Sequence, residues 1–185
     1  MTHHQTFPKP VIEGDELGAP GLTFFDYKTQ AFVIQKMDQM EITIDLAHAS
    51  PSLIDDILDL TDRPVIVSHT GVKGTYDSPR NLSDEHVKRI AENGGLIGIG
   101  FWDGAIGSTD VKDITKAMRY VIDLVGIDHV ALGSDWDGGT TVHFDAAHVS
   151  ILTQTLMDEG FTQDEIRNIM GANVIKFFLK NLPRV

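Results

Sequence analysis

Two short apolar runs, residues 42–46 (ITIDL) and 64–68 (PVIVS), each lead into a histidine, His48 and His69. A segment of helix length separates them. This repetition constrains the fold more than any other feature of the chain. Short β-branched runs bounded by turn residues read as buried strands. A strand, a helix and a second strand form a βαβ unit whose strands are parallel, so both histidines leave the same end of one sheet. That end is where parallel α/β barrels gather their reacting groups. Two neutral imidazoles on neighbouring strands can share one zinc ion, at about 2.0–2.1 Å each. Each histidine taken singly reads equally well as a hydrogen-bonded core residue.

The remaining elements follow the same alternation. Residues 1–20 read as loop, with His3 and His4 as an exposed pair, and residues 21–39 as an amphipathic helix. A helix over 52–60 with Ser52 as its cap follows the first strand, and a glycine-containing loop over 70–81 follows His69. Ser83 caps a helix that Gly94 or Gly95 stops, and Asp110 opens another over 111–125 that Gly126 ends. Residues 95–101 (GLIGIGF) and 129–134 (HVALGS) are the third and fourth strands, and the fourth delivers Asp135. A helix over about 145–159 comes next. Thr162 and Glu165 form a capping box for a last helix reaching about residue 181. The expected fold is therefore α/β, a partial parallel β/α barrel of TIM type with four to five strands and covering helices. Residues 1–185 form one domain on this reading.

Composition limits the partners. A net charge of −12 argues against nucleic acid or an anionic membrane surface. Without cysteine there are neither disulfides nor thiolate metal sites. No stretch approaches the roughly 20 apolar residues of a membrane span, and the N-terminus lacks a signal-peptide core. A cytoplasmic location is the expectation. No GxGxxG follows a strand, which leaves a dinucleotide site unsupported.

Four further residues bear on chemistry. A carboxylate directly after an apolar strand, Asp135, is costly to bury without a metal, a cation or a proton, and beside a metal-activated water it can act as base and then acid. It serves equally as a loop or cap aspartate. Arg80, in the loop after His69, can clamp a substrate carboxylate bidentately or lie on the surface. Trp136 and Asp137 share the GSDWDGG turn, where turn chemistry alone accounts for the aspartate.

DLAHAS, PVIVSHTG, SPRN, GSDWDG and GANVIKFF, in this order, resemble the C-terminal half of the renal (membrane) dipeptidase family of zinc metallopeptidases. The resemblance implies an amidohydrolase-type (β/α)8 barrel with a two-zinc centre that hydrolyses dipeptides. By that pattern His48 and His69 would be ligands of one zinc. Asp135 would exchange protons with the bridging water, Arg80 would hold the substrate's C-terminal carboxylate, and His3 would polarise the scissile carbonyl. The family's other ligands, a His-x-Asp pair and a bridging glutamate, belong to a region before the one matched here. The His143-Phe144-Asp145 triplet falls where the family has no ligand, and Asp145 reads as a helix cap. Ligands for only one of two zincs are visible. The expectation is a dipeptidase, truncated in form, acting on small dipeptides as a homo-oligomer or with a missing N-terminal half. The alternative is an inactive half-barrel that serves as an assembly or binding module.

Overall fold

The computed structural model describes residues 27–183. The loop expected over 1–20, with His3, and the first residues of the helix expected over 21–39 lie outside the described residues. Helix α1 (Tyr27–Gln39) is followed by α2 (Pro51–Leu60). Pro51 suits the first helical position, having no N–H to leave unpaired, so the residue before it becomes the cap. Ser50 Oγ accepts from Leu53 N at 3.3 Å. The cap is therefore Ser50 rather than Ser52. Ser83 and Asp110 cap α3 (Asp84–Glu92) and α5 (Val111–Val125) as the sequence indicates, and Gly126 ends α5.

Strands β1 (Ile66–Thr70), β2 (Leu96–Ile99) and β3 (Val130–Leu132) form a parallel sheet in that order. Four to five strands were expected and three are found among the described residues. Residues 42–46 make a single parallel bridge, Asp45 opposite Ile66, and then leave the sheet. The reason is a competing acceptor: Ser68 N donates to the Asp45 carboxylate at 2.9 Å, where a continuing strand would offer a backbone carbonyl. The pairing of β1 with β2 is also irregular. Val67 faces Ile97 and Thr70 faces Ile99, so three residue steps on β1 match two on β2. An extra residue of this kind re-aims the side chains beside it. His69 lies at this bulge, inside β1 rather than beyond its end.

Alternation along the strands separates two faces. Val67, Ile97, Ile99 and Val130 join the main core with Ile54, Val87, Ile90, Ile114, Met118, Leu152 and Leu156 from the helices. Leu96 and Ala131 pack with Phe177 in a second, smaller cluster. A short helix, α4 (Asp103–Ile106), follows β2. The helix expected over 145–159 is divided into a 3₁₀ turn (Ala146–His148) and α6 (Ser150–Asp158). The last helix is likewise interrupted. Between α7 (Gln163–Arg167) and α8 (Asn173–Asn181) runs a wide turn in which Gly171 has non-helical dihedrals. Asn173 Nδ2 donates to the carbonyls of Ile127 and Val130, which ties α8 to the start of β3. Among the described residues no helix is long and apolar enough to cross a membrane.

The Thr162–Glu165 capping box is present and is extended by Arg119, whose Nη1 donates to Glu165 Oε1 at 2.7 Å. The Arg119 guanidinium also lies 3.9 Å from the Phe161 ring centre. Hydrogen bonds from Arg119 and Thr162 hold the Glu165 carboxyl down to about 2, against its ordinary 4.5. A carboxylate depressed by folding stabilises the native state above its unfolded value, and that contribution fades as pH falls from 4.5 toward 2. Glu165→Gln should cost about 1 kcal/mol at neutral pH, the usual scale for a helix cap with a partly exposed ion pair. Urea midpoints of parent and variant should draw steadily together as pH falls from 4.5 toward 2; a constant gap from pH 7 to 3 would show that the carboxylate charge is not involved.

Candidate functional site

Four polar side chains gather around the C-terminal ends of the strands, His69 from within β1 and the others from the segments beyond. His48 follows the bridge segment with a left-handed backbone, φ 64°, and Asp135 follows β3 with φ 54°. Non-glycine residues seldom adopt this conformation, and its cost is characteristic of functional sites. His48 Nε2 lies 2.9 Å from His69 Nε2, and the ring centres are 4.9 Å apart. Arg80 Nη2 donates to His48 Nε2 at 3.1 Å, and Asp135 Oδ2 lies 3.9 Å from His69 Nε2. The structure thus brings together His48, His69, Arg80 and Asp135. His3 lies outside the described residues.

Each member is held from behind. Arg80 sits in a loop closed by Leu82 N donating to Gly71 O at 3.0 Å and Lys73 N to Leu82 O at 2.8 Å. The neighbouring Asn81 is buried, and its Nδ2 donates to the carbonyls of Tyr76 and Ala105, each at 2.8 Å. Asp135 O accepts from Gly138 N and from Thr140 Oγ1. The adjoining Trp136 packs edge-on against Phe101 and Phe144, and its Nε1 donates to Phe144 O.

Burial, then Arg80, keeps the His69 pKa below its ordinary value, while Asp135 and Asp45 oppose this. The neutral form is the one that can bind a metal. Ser68 Oγ stands 2.9 Å from His69 Nδ1. A hydroxyl that accepts the Nδ1 proton leaves Nε2 with its lone pair facing His48. Two imidazole nitrogens converging on one point fit a pair of ligands to one ion. Among the described residues no group of three or more histidine, aspartate or glutamate side chains could hold a metal. The donor set fits half of one coordination shell.

Sequence reading missed three contributors. Trp102, buried after β2, lies 5.9 Å from the His69 ring and 4.9 Å from the Arg80 guanidinium, a shelf under both. Ser68 and Asp45 are the others, and only their adjacency to the histidines marks them in the sequence. His143 and Asp145 are not part of this group. Asp145 caps the 3₁₀ turn by accepting from Ala147 N at 3.0 Å, and it pairs with His148, as a cap should.

A parallel sheet layered with helices, carrying histidine, arginine and aspartate at the C-terminal ends of its strands, defines the α/β class that keeps its site on one rim. The chain belongs to the membrane dipeptidase family (Peptidase family M19), whose sequence profile matches residues 28–181. It is 31% identical to the dipeptidase ataJ of Aspergillus terreus over 72% of this chain and 34% of that protein. An uncharacterized dipeptidase of Schizosaccharomyces pombe is 30% identical over 80% of this chain and 38% of its own length. An uncharacterized protein of Klebsiella pneumoniae, from the pqqA 5′ region, is 28% identical over 96% of this chain and 65% of its own. The fold resembles that of a metallo peptidase from Rhodobacter sphaeroides, solved with a phosphinate mimic of the dipeptide L-Ala-D-Ala. The TM-score is 0.77 at 24% identity, over 82% of this chain and 46% of that one. The chain spans about a third of the length of the first two relatives.

Proposed function

We propose that this chain forms the C-terminal part of a (β/α)8 metallo-dipeptidase barrel, as one domain, and takes part in zinc-dependent hydrolysis of dipeptides. The observation that carries this is the convergence of the His48 and His69 Nε2 atoms, 2.9 Å apart, beside Arg80 and Asp135. Membership of the dipeptidase family and the dipeptide mimic bound by the Rhodobacter structure support the reading. His48 and His69 would hold one zinc through Nε2. A zinc ion bound there would supply Lewis acidity and an acidified water. Asp135 accepts and returns a proton at its carboxylate, 3.9 Å from His69. Arg80, whose guanidinium is oriented by Trp102 and the His69 carbonyl, binds the substrate's C-terminal carboxylate. His3 steadies the scissile carbonyl oxygen.

The test is zinc content per chain, by elemental analysis of purified protein at known oligomeric state, for parent and His48→Ala. At least one zinc in the parent and its loss in the variant are expected. Equal zinc in both would sink the ligand assignment. No zinc in either would favour the other reading, an inactive half-barrel acting as an assembly or binding module.

A further inference from the structure

The bridge between residues 42–46 and β1 ends in an unusual exchange of acceptors. Leu46 N donates to Ile66 O at 2.8 Å, and Ile66 N donates to Ile44 O at 2.9 Å. Parallel pairing would next take Ser68 N to the Leu46 carbonyl. Ser68 N goes instead to Asp45 Oδ1, at 2.9 Å, and the same oxygen accepts from Ala47 N at 3.0 Å. The Leu46 carbonyl, released from the ladder, accepts from Ala49 N at 3.0 Å. That bond closes the turn in which His48 takes its left-handed backbone. Ala47 immediately precedes His48, and Ser68 immediately precedes His69. One carboxylate oxygen therefore holds the backbone amide in front of each histidine.

We infer that Asp45 is the positioning residue that sets the His48–His69 pair, by fixing the two segments that carry them to a single acceptor. This rests on the proposed role of both histidines toward a metal. Asp45 is exposed and makes no part of the hydrophobic core. Its removal therefore acts on the placement of the histidines more than on folding. An acceptor oxygen at this place is what the geometry requires. Asparagine keeps that oxygen and loses the charge, whereas alanine loses both.

The experiment compares Asp45→Ala, Asp45→Asn and His48→Ala in the full chain, with two readouts. Zinc affinity is measured by competition with a chromogenic chelator. Hydrogen exchange at the Ser68 and Ala47 amides is measured by NMR in zinc-free protein. Asp45→Ala should weaken zinc binding about 10- to 100-fold, the range for losing a group that orients a ligand, and should speed exchange at both amides. Asp45→Asn should stay within about threefold of the parent, because the hydrogen bonds persist in weaker, uncharged form. Asparagine falling as far as alanine would overturn the inference, since charge and not placement would then be what matters. So would unchanged zinc affinity in Asp45→Ala while His48→Ala abolishes binding. If His48→Ala binds zinc like the parent, the metal reading fails separately. Exchange at Ser68 then decides alone: faster exchange in Asp45→Ala upholds the fixing of both segments, and unchanged exchange ends it.

Discussion

Gly98→Ala is expected to destabilise the chain by about 3 kcal/mol, the upper end of the usual cost of overpacking. A Cβ on Gly98 would lie 2.3 Å from the Ser68 carbonyl oxygen and 3.1 Å from the Gly133 Cα. Both obstacles are backbone, so no side chain can rotate to relieve them. Alanine gains at most about 1 kcal/mol from a less flexible unfolded chain, so the clash decides the sign. The Ser68 carbonyl lies against Gly98 within the stretch where the register of β1 and β2 slips by one residue, and His69 lies in the same stretch. Gly133 meets the same obstruction, since its Cβ would lie 2.7 Å from Ser68 O and 2.5 Å from Gly98 O. The two substitutions share one relaxing group, so the double variant should cost less than the sum of the singles. Urea unfolding at constant m-value reads all three. A loss below about 0.5 kcal/mol for Gly98→Ala, the scatter of ordinary surface substitutions, would mean that the bulge relaxes freely and does not fix His69.

What could be read from the sequence divides along the same line as these forces. Caps depend on residues two or three positions apart, so Ser83, Asp110 and the Thr162–Glu165 pair announced their helices correctly. Alternating helices and apolar runs also gave the parallel sheet. Residues 42–46 misled because the end of their pairing is decided by a side-chain oxygen reaching another strand. Propensity counts Asp45 as a poor strand residue and nothing more. The bulge that places His69 within β1 was invisible for a related reason: it depends on the absence of side chains at Gly98 and Gly133, which lie far along the chain. The gathering of His48, His69, Arg80 and Asp135 followed from strand ends sharing a rim. Trp102 follows β2 and carries no local signal of a role in the site. Its place beneath both His69 and Arg80 arises from how the loop after β1 folds over the end of β2.

Phe101→Ala should be the most damaging single truncation near the site, at about 3–5 kcal/mol, the range for removing a buried phenylalanine. In a chain of this length that is a fall in Tm of roughly 6–20 °C. Phe101 has no exposed surface, and it lies 5.4 Å from the Phe144 ring and 5.8 Å from Trp136. These three rings join the end of β2 to the loop that carries Asp135. Trp102, next in the chain, supports Arg80 and His69. The cavity left by Phe101→Ala therefore opens between the two loops that place the polar groups, and its effect should extend beyond stability. Phe101→Leu separates the contributions: it fills most of the volume but cannot make the ring contacts with Trp136 and Phe144, worth about 0.5–1.5 kcal/mol per aromatic pair. Thermal unfolding of both variants, with near-ultraviolet circular dichroism to follow Trp102 and Trp136, gives the comparison. If alanine costs no more than leucine, the ring cluster is not what holds the Asp135 loop. A large difference, with altered tryptophan signals in the alanine variant alone, ties the placement of Asp135 to a buried packing residue of the ring cluster.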